Sequence, residues 1–150
     1  VNHFRSINSS TGNSPEWTAV GDDANIDNKI SAKGTGKVKP QGAVLGKEVV
    51  LTPGANVATN ASLGSTYTLV PAQNFTLDNP TNSESGQKIL YRIKQDGTGS
   101  RVMTLGANFR LGTDITDTTL STAASTVDYM GVVYNSTDAK WDVVLFIKGF

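Results

Sequence analysis

Residues 127–148 read as two strands joined by a tight turn, and the second strand is apolar on both faces. Val127 to Tyr134 runs out, Asn135-Ser136-Thr137-Asp138-Ala139 turns, and Lys140 to Lys148 runs back. Side chains alternate across a strand. Trp141, Val143, Leu145 and Ile147 therefore share one face, and Asp142, Val144, Phe146 and Lys148 the other. A strand apolar on both sides between residues 143 and 147 needs cover on both sides. The domain's own core is one cover, and a neighbouring subunit is expected to be the other.

The residues before this hairpin favour the same class. Glu48-Val49-Val50-Leu51-Thr52 is a short strand stopped by Pro53-Gly54, and Thr66 to Val70 alternates up to Pro71. Phe75-Thr76-Leu77 precedes the turn cluster Asp78-Asn79-Pro80. Lys88 to Lys94 places Ile89, Tyr91 and Ile93 on one face, opposite Lys88, Leu90, Arg92 and Lys94. Gln95 to Ser100 then turns, and Arg101 to Leu105 is expected to return as a hairpin, because Asp-Gly supplies the backbone angles of a tight reversal. Composition agrees: 18 Thr suit pleated strands, while 13 Ser, 12 Asn and 15 Gly suit turns. Residues 48–150 are thus expected to form an all-β domain of the β-sandwich or jelly-roll-like kind.

Residues 1–47 differ. Turn signals crowd Ser9 to Pro15, Gly21 to Asp23, Gly34 to Gly36 and Pro40 to Gly42, and large apolar residues are few. Such a segment cannot close a core alone. Ile26, Ile30 and Val38 favour an extended arm packing on neighbouring subunits over a disordered tail. Phe4, Trp17, Ile26 and Ile30 in the arm, with Val144 and Phe146 on the last strand, are the interface candidates. Position 1 is Val rather than Met, so either a Met was removed or the chain is a piece of something longer.

The chain offers little to a catalyst. It has no Cys, and its one histidine, His3, lies near a terminus, a poor place for the rigidly held base of a nucleophilic triad. Asp23-Ala24-Asn25-Ile26-Asp27 opens like a calcium loop, but Asn28 stands where the turn Gly belongs and Gly34 where the bidentate Glu belongs. Gly34-Thr35-Gly36-Lys37 matches half of a phosphate loop, and Val38 stands in place of Ser or Thr. Asp114 and Asp117 fit a solvated loop better than a metal pair. Nothing in the sequence draws together two of Glu48, Glu84, Asp96 and Asp128 for glycan cleavage. Trp141 sits mid-strand, where packing is favoured over sugar stacking. Trp17 is the better surface aromatic. No catalytic residue, metal or cofactor is expected. Formal net charge is +0, so electrostatics gives no reason to expect nucleic acid or a membrane surface as partner. No apolar stretch approaches the ~18 residues of a membrane span.

Three stretches resemble surface proteins of tailed bacteriophages. The first is Val1 to Phe4 with Thr11 to Pro15, Gly21 to Ile26 and Lys33 to Val38, similar to an N-terminal module of phage fibre and virion proteins. The second is Gln95 to Arg101 followed by Gly106 to Phe109, and the third is Ser121-Thr122 with Val127-Asp128, Tyr134, Trp141 and Phe146. The resemblance implies a β-rich, usually trimeric virion component with no catalytic residues to carry over, and the chain is expected on the virion exterior. The expected role is a capsid decoration, cement or head-fibre protein bound to other virion proteins such as the major capsid protein. The alternative is the receptor-binding tip of a tail fibre recognising a host-surface glycan.

Overall fold

The computed structural model describes residues 3–7, 16–24, 26, 28, 30, 32–35 and 37–150. The chain divides into two units, Val1–Val44 and Leu45–Phe150. In the first, β1 (His3–Ile7) pairs antiparallel with β2 (Glu16–Val20), with Arg5 opposite Thr18. That hairpin was not part of the extended-arm expectation. The turn cluster Ser9 to Pro15 lies outside the described residues, as do Asn25, Asp27 and Gly36.

The second unit is all-β: β3 (Glu48–Val50), β4 (Asn56–Val57), β5 (Thr66–Leu69), β6 (Phe75–Leu77), β7 (Lys88–Lys94), β8 (Met103–Leu105), β9 (Phe109–Leu111), β10 (Val127–Asn135) and β11 (Lys140–Ile147). One sheet has the order β3-β5-β7-β10-β11-β9 and the other β4-β6-β8. From β3 to β8 successive strands alternate between the sheets, and neighbours within each sheet run parallel. The chain therefore winds as three stacked coils, β3–β4, β5–β6 and β7–β8, a short two-sided solenoid. The antiparallel hairpin β10–β11 extends the large sheet beyond β7, and β9 pairs parallel with β11.

The core lies between the sheets. Tyr67, Leu69, Ile89, Tyr91 and Ile93 of the large sheet meet Val57, Phe75, Leu77 and Met103 of the small one, and Met130, Val132, Trp141 and Val143 continue the layer. Buried polar atoms are matched, as their desolvation requires. The Tyr67 hydroxyl donates to the Asn60 carbonyl and the Tyr91 hydroxyl to Thr59 Oγ1. Burial pushes the Tyr91 phenol pKa well above its usual value.

Two strand expectations are corrected. β7 and β8 do not form a hairpin: Met103–Leu105 pairs with β6 in the opposite sheet. The turn between them is held as a corner. Arg101 N donates to buried Gln95 Oε1 at 2.9 Å, and Gln95 Nε2 donates to the carbonyls of Arg101 and Ser121. Asp96 Oδ1 accepts from the backbone N–H groups of Thr98 and Gly99, and its Oδ2 takes two N–H bonds from the Arg101 guanidinium. Gly99 has φ +76°, and a Cβ there would lie 2.5 Å from the Thr122 carbonyl oxygen.

The second correction concerns β11. The register slips between Gly131 and Val132, which pair with Leu145 and Val143, so Val144 is an extra residue. Such a bulge inverts the alternation beyond it. Trp141 and Val143 are buried, but past the bulge Phe146 packs on the core while Leu145 and Ile147 are exposed.

Candidate functional site

The acidic side chains do not make a reactive pair. Glu48 lies on β3, Glu84 in the turn before β7, Asp96 in the 95–101 corner and Asp128 on β10. Asp128 is buried and accepts from Ser121 N and Ser121 Oγ, each at 2.7 Å, and from Gly149 N at 3.0 Å. Those bonds pin the chain end to β10. The Arg101 guanidinium holds the Asp96 carboxyl below the usual carboxylate range. Asp117 caps its own turn, accepting from the N–H and hydroxyl of Thr119. Among the described residues no three His, Cys, Asp or Glu side chains converge to hold a metal. His3 lies in β1, and its side chain is outside the described set.

The more informative surface is the outer face of the large sheet, away from the core. Strand pairing sets its rows. Thr66, Leu90, Gly131 and Leu145 are neighbours across β5, β7, β10 and β11, and the next row holds Thr68, Arg92, Tyr129 and Ile147. Gly131 has no side chain, and Leu145 lies against it: a Cβ at 131 would sit 3.1 Å from Leu145 Cβ. A shallow groove of about 420 Å³ results, lined by Thr66, Leu90, Val144 and Leu145, with Lys88 at its margin. The Tyr129 ring meets the Phe150 ring edge-on, with centroids 5.6 Å apart, while the Phe150 backbone pairs with Val127.

Along β7 the outward face carries exposed Lys88 and half-buried Arg92 and Lys94, with half-buried Leu90 between. None has an ion-pair partner among the described residues. The other arginines of this unit are engaged. Arg101 binds Asp96, and Arg110 is clamped by Asp142 and Asp138, which push its pKa further up. Arg110 in turn holds Asp142 below the usual range.

The interface candidates separate. Trp17 is 72% exposed, Ile30 66% and Val144 59%, while Ile26 is half-buried. Phe146 faces the core because of the bulge, so its expected place on the outer face is corrected. The outward residues of β11 beyond the bulge are Leu145 and Ile147. Phe4 lies in β1, and its side chain is outside the described set. Period-two alternation had already put Lys88, Arg92 and Lys94 on one face. The groove was not readable, because it depends on which strand lies beside Gly131.

A second recess, of about 400 Å³, opens at the first coil, where Val49, Leu51, Asn60 and Tyr67 lie beside the edge strands β3 and β4. Those edges are blunted by their shortness and by Pro53, as open sheet edges commonly are.

No curated protein matches this chain. A family model described as "Putative phage tail fibre C-terminal domain" matches residues 51–139, from the end of β3 to the turn before β11. The match takes in the coils β5–β6 and β7–β8 with strand β10, the structural centre of the unit, and covers more than half of the chain. The chain belongs to this family of phage tail fibre C-terminal domains, and is a surface protein of a tailed-phage virion.

Proposed function

We propose that this chain is the host-attaching tip domain of a tail fibre, exposed at the virion exterior and working by binding a host-surface glycan rather than by catalysis. The family match over residues 51–139 carries the reading. It favours the fibre over the capsid-decoration role, for which neither the match nor the fold adds support. The outer face of the large sheet supplies a suitable surface on its β5–β7 side, apart from β11: hydroxyl, aliphatic and cationic side chains on a rigid strand platform. Sites built on strands hold their geometry better than sites on loops.

The working unit is a homotrimer. Val144 and Ile147 present apolar side chains outward from β11, and burial between copies would remove that surface from water. Three copies on one fibre would also multiply weak single-site binding into firm attachment.

The test is attachment of the purified chain to host cells and to a panel of purified bacterial surface polysaccharides. Saturable attachment that a free polysaccharide abolishes is expected. Failure to bind any host surface, with the protein instead found on the capsid in many copies, would overturn the reading.

A further inference from the structure

We infer that the stripe Lys88–Arg92–Lys94 on the outer face of β7 is a subsite for an anionic glycan chain, one bearing carboxylate or phosphate groups along its length. The inference rests on the host-attachment reading and names the chemistry of its ligand.

Residues 48–150 hold seven basic and nine acidic side chains. Four of the seven basic ones have assigned work. Arg101 binds Asp96, Arg110 binds Asp138 and Asp142, and Lys140 donates to the Ala107 carbonyl. Asp117 is held down first by the Thr119 hydroxyl, but it also feels the charge of Lys148. The three left are Lys88, Arg92 and Lys94, all on one face of one strand. Residues 48–150, which carry an excess of acid, thus concentrate their uncommitted positive charge in a single line.

The surroundings do not neutralise that line. Thr66 and Thr68 flank it on β5, and Gly131 and Tyr129 on β10. Two carboxylates share the face. Glu48 lies on β3, with β5 between it and β7, and Asp142 on β11 is already clamped by Arg110. Charged side chains on a sheet are ordinarily placed opposite the other sign, and here that opportunity is unused.

Spacing sets the kind of ligand. Strand residues rise ~3.3 Å each, so Arg92 and Lys94 project about 7 Å apart and the stripe spans roughly 20 Å. That length exceeds a single free anion and fits an extended chain. Leu90 and the Tyr129 ring offer apolar surface between the charges, and the two threonine hydroxyls offer hydrogen bonds. A sugar, with C–H faces and hydroxyl edges, matches that mixture. Nucleic acid fits less well, because the rows flanking the stripe hold one ring, Tyr129, and not the succession of aromatic side chains on which bases stack.

The experiment is calorimetric titration of the full chain with four probes: an oligogalacturonate (carboxylates), a poly(glycerol phosphate) chain (phosphates), a neutral malto-oligosaccharide and a single-stranded oligonucleotide. One or both of the first two are expected to bind more tightly than the others. That binding should weaken steeply as salt rises from about 50 to about 300 mM. The triple substitution Lys88→Gln, Arg92→Gln and Lys94→Gln should lower the affinity about tenfold or more with an unchanged melting temperature. Which acidic probe binds tells carboxylate from phosphate. Equal binding of the neutral sugar or the oligonucleotide, no binding of either acidic probe, or undiminished binding by the triple variant would overturn the inference. The host-attachment reading is scored separately: a triple variant that still attaches to cells as wild type does removes only the stripe, whereas a wild-type chain that attaches to no cell removes both.

Discussion

Tyr67 on β5 and Tyr91 on β7 are register partners on adjacent parallel strands, with ring centroids 5.9 Å apart. Consecutive coils of the solenoid thus stack like on like, and each hydroxyl is satisfied within the first coil, at Asn60 and Thr59. Tyr91→Ala should therefore destabilise the unit by about 3–5 kcal/mol, the usual cost of emptying a large core position. Tyr91→Phe keeps the ring but leaves Thr59 Oγ1 without its donor, at a cost of about 1 kcal/mol. Urea denaturation of the two variants checks the order.

The same residue predicts a pH limb. Burial raises the Tyr91 pKa above its unfolded value of 10.0, so folding favours the neutral phenol. Its stabilising contribution is complete below pH 10.0 and is lost progressively as pH climbs above that value. Absorbance titration of tyrosinate should show Tyr91 ionising only together with unfolding.

Asp96 predicts the opposite limb. The Arg101 guanidinium lowers its carboxyl pKa, so its contribution is present at neutral pH, and is lost as acid carries the pH below 3.8 through the lowered folded value. Asp96→Asn should lower the melting temperature at pH 7 and leave a smaller fall on acidification than wild type shows. Thermal melts across that range would measure it.

The bulge at Val144 makes Phe146, not Leu145, the core residue of β11 beyond Val143. Phe146→Ala should cost about 2–3 kcal/mol and Leu145→Ala under about 1 kcal/mol. Deleting Val144 would remove the extra residue while keeping Leu145 opposite Gly131 and Phe146 opposite Met130, so it should cost less than Phe146→Ala. Chemical denaturation of the three variants tests the inversion.

Oligomerisation through β11 gives a further prediction. Sedimentation of the chain at micromolar concentration should report a trimer, and Val144→Glu with Ile147→Glu should leave a folded monomer with an unchanged circular dichroism spectrum. A wild-type monomer would remove the outward apolar residues of β11 as an assembly surface.

Much of the fold was legible in the sequence. The strands at Glu48, Thr66, Phe75 and Lys88 and the closing hairpin lie where alternation and Pro or Gly punctuation put them. Alternation reports which face a residue takes, but not which sheet its strand joins. Asp96-Gly97 accordingly read as a reversal, while the buried Gln95–Arg101 bonds, invisible in a linear pattern, make it a corner. The solenoid had left a trace. Leu51-Thr52-Pro53 and Leu69-Val70-Pro71 repeat at the offset by which Val49 pairs with Tyr67. The inversion at Val144 had no local signal, since Val143 to Ile147 is apolar throughout and fits either register. For the candidate site, the cations of β7 were visible, but their lack of partners required knowing where every carboxylate lies.

Electron cryo-microscopy of the whole phage particle, with antibody against this chain, tests the central claim most directly. Density for the all-β unit at the far ends of the tail fibres is the predicted result. The same density studding the capsid, with the fibre ends unlabelled, would contradict it.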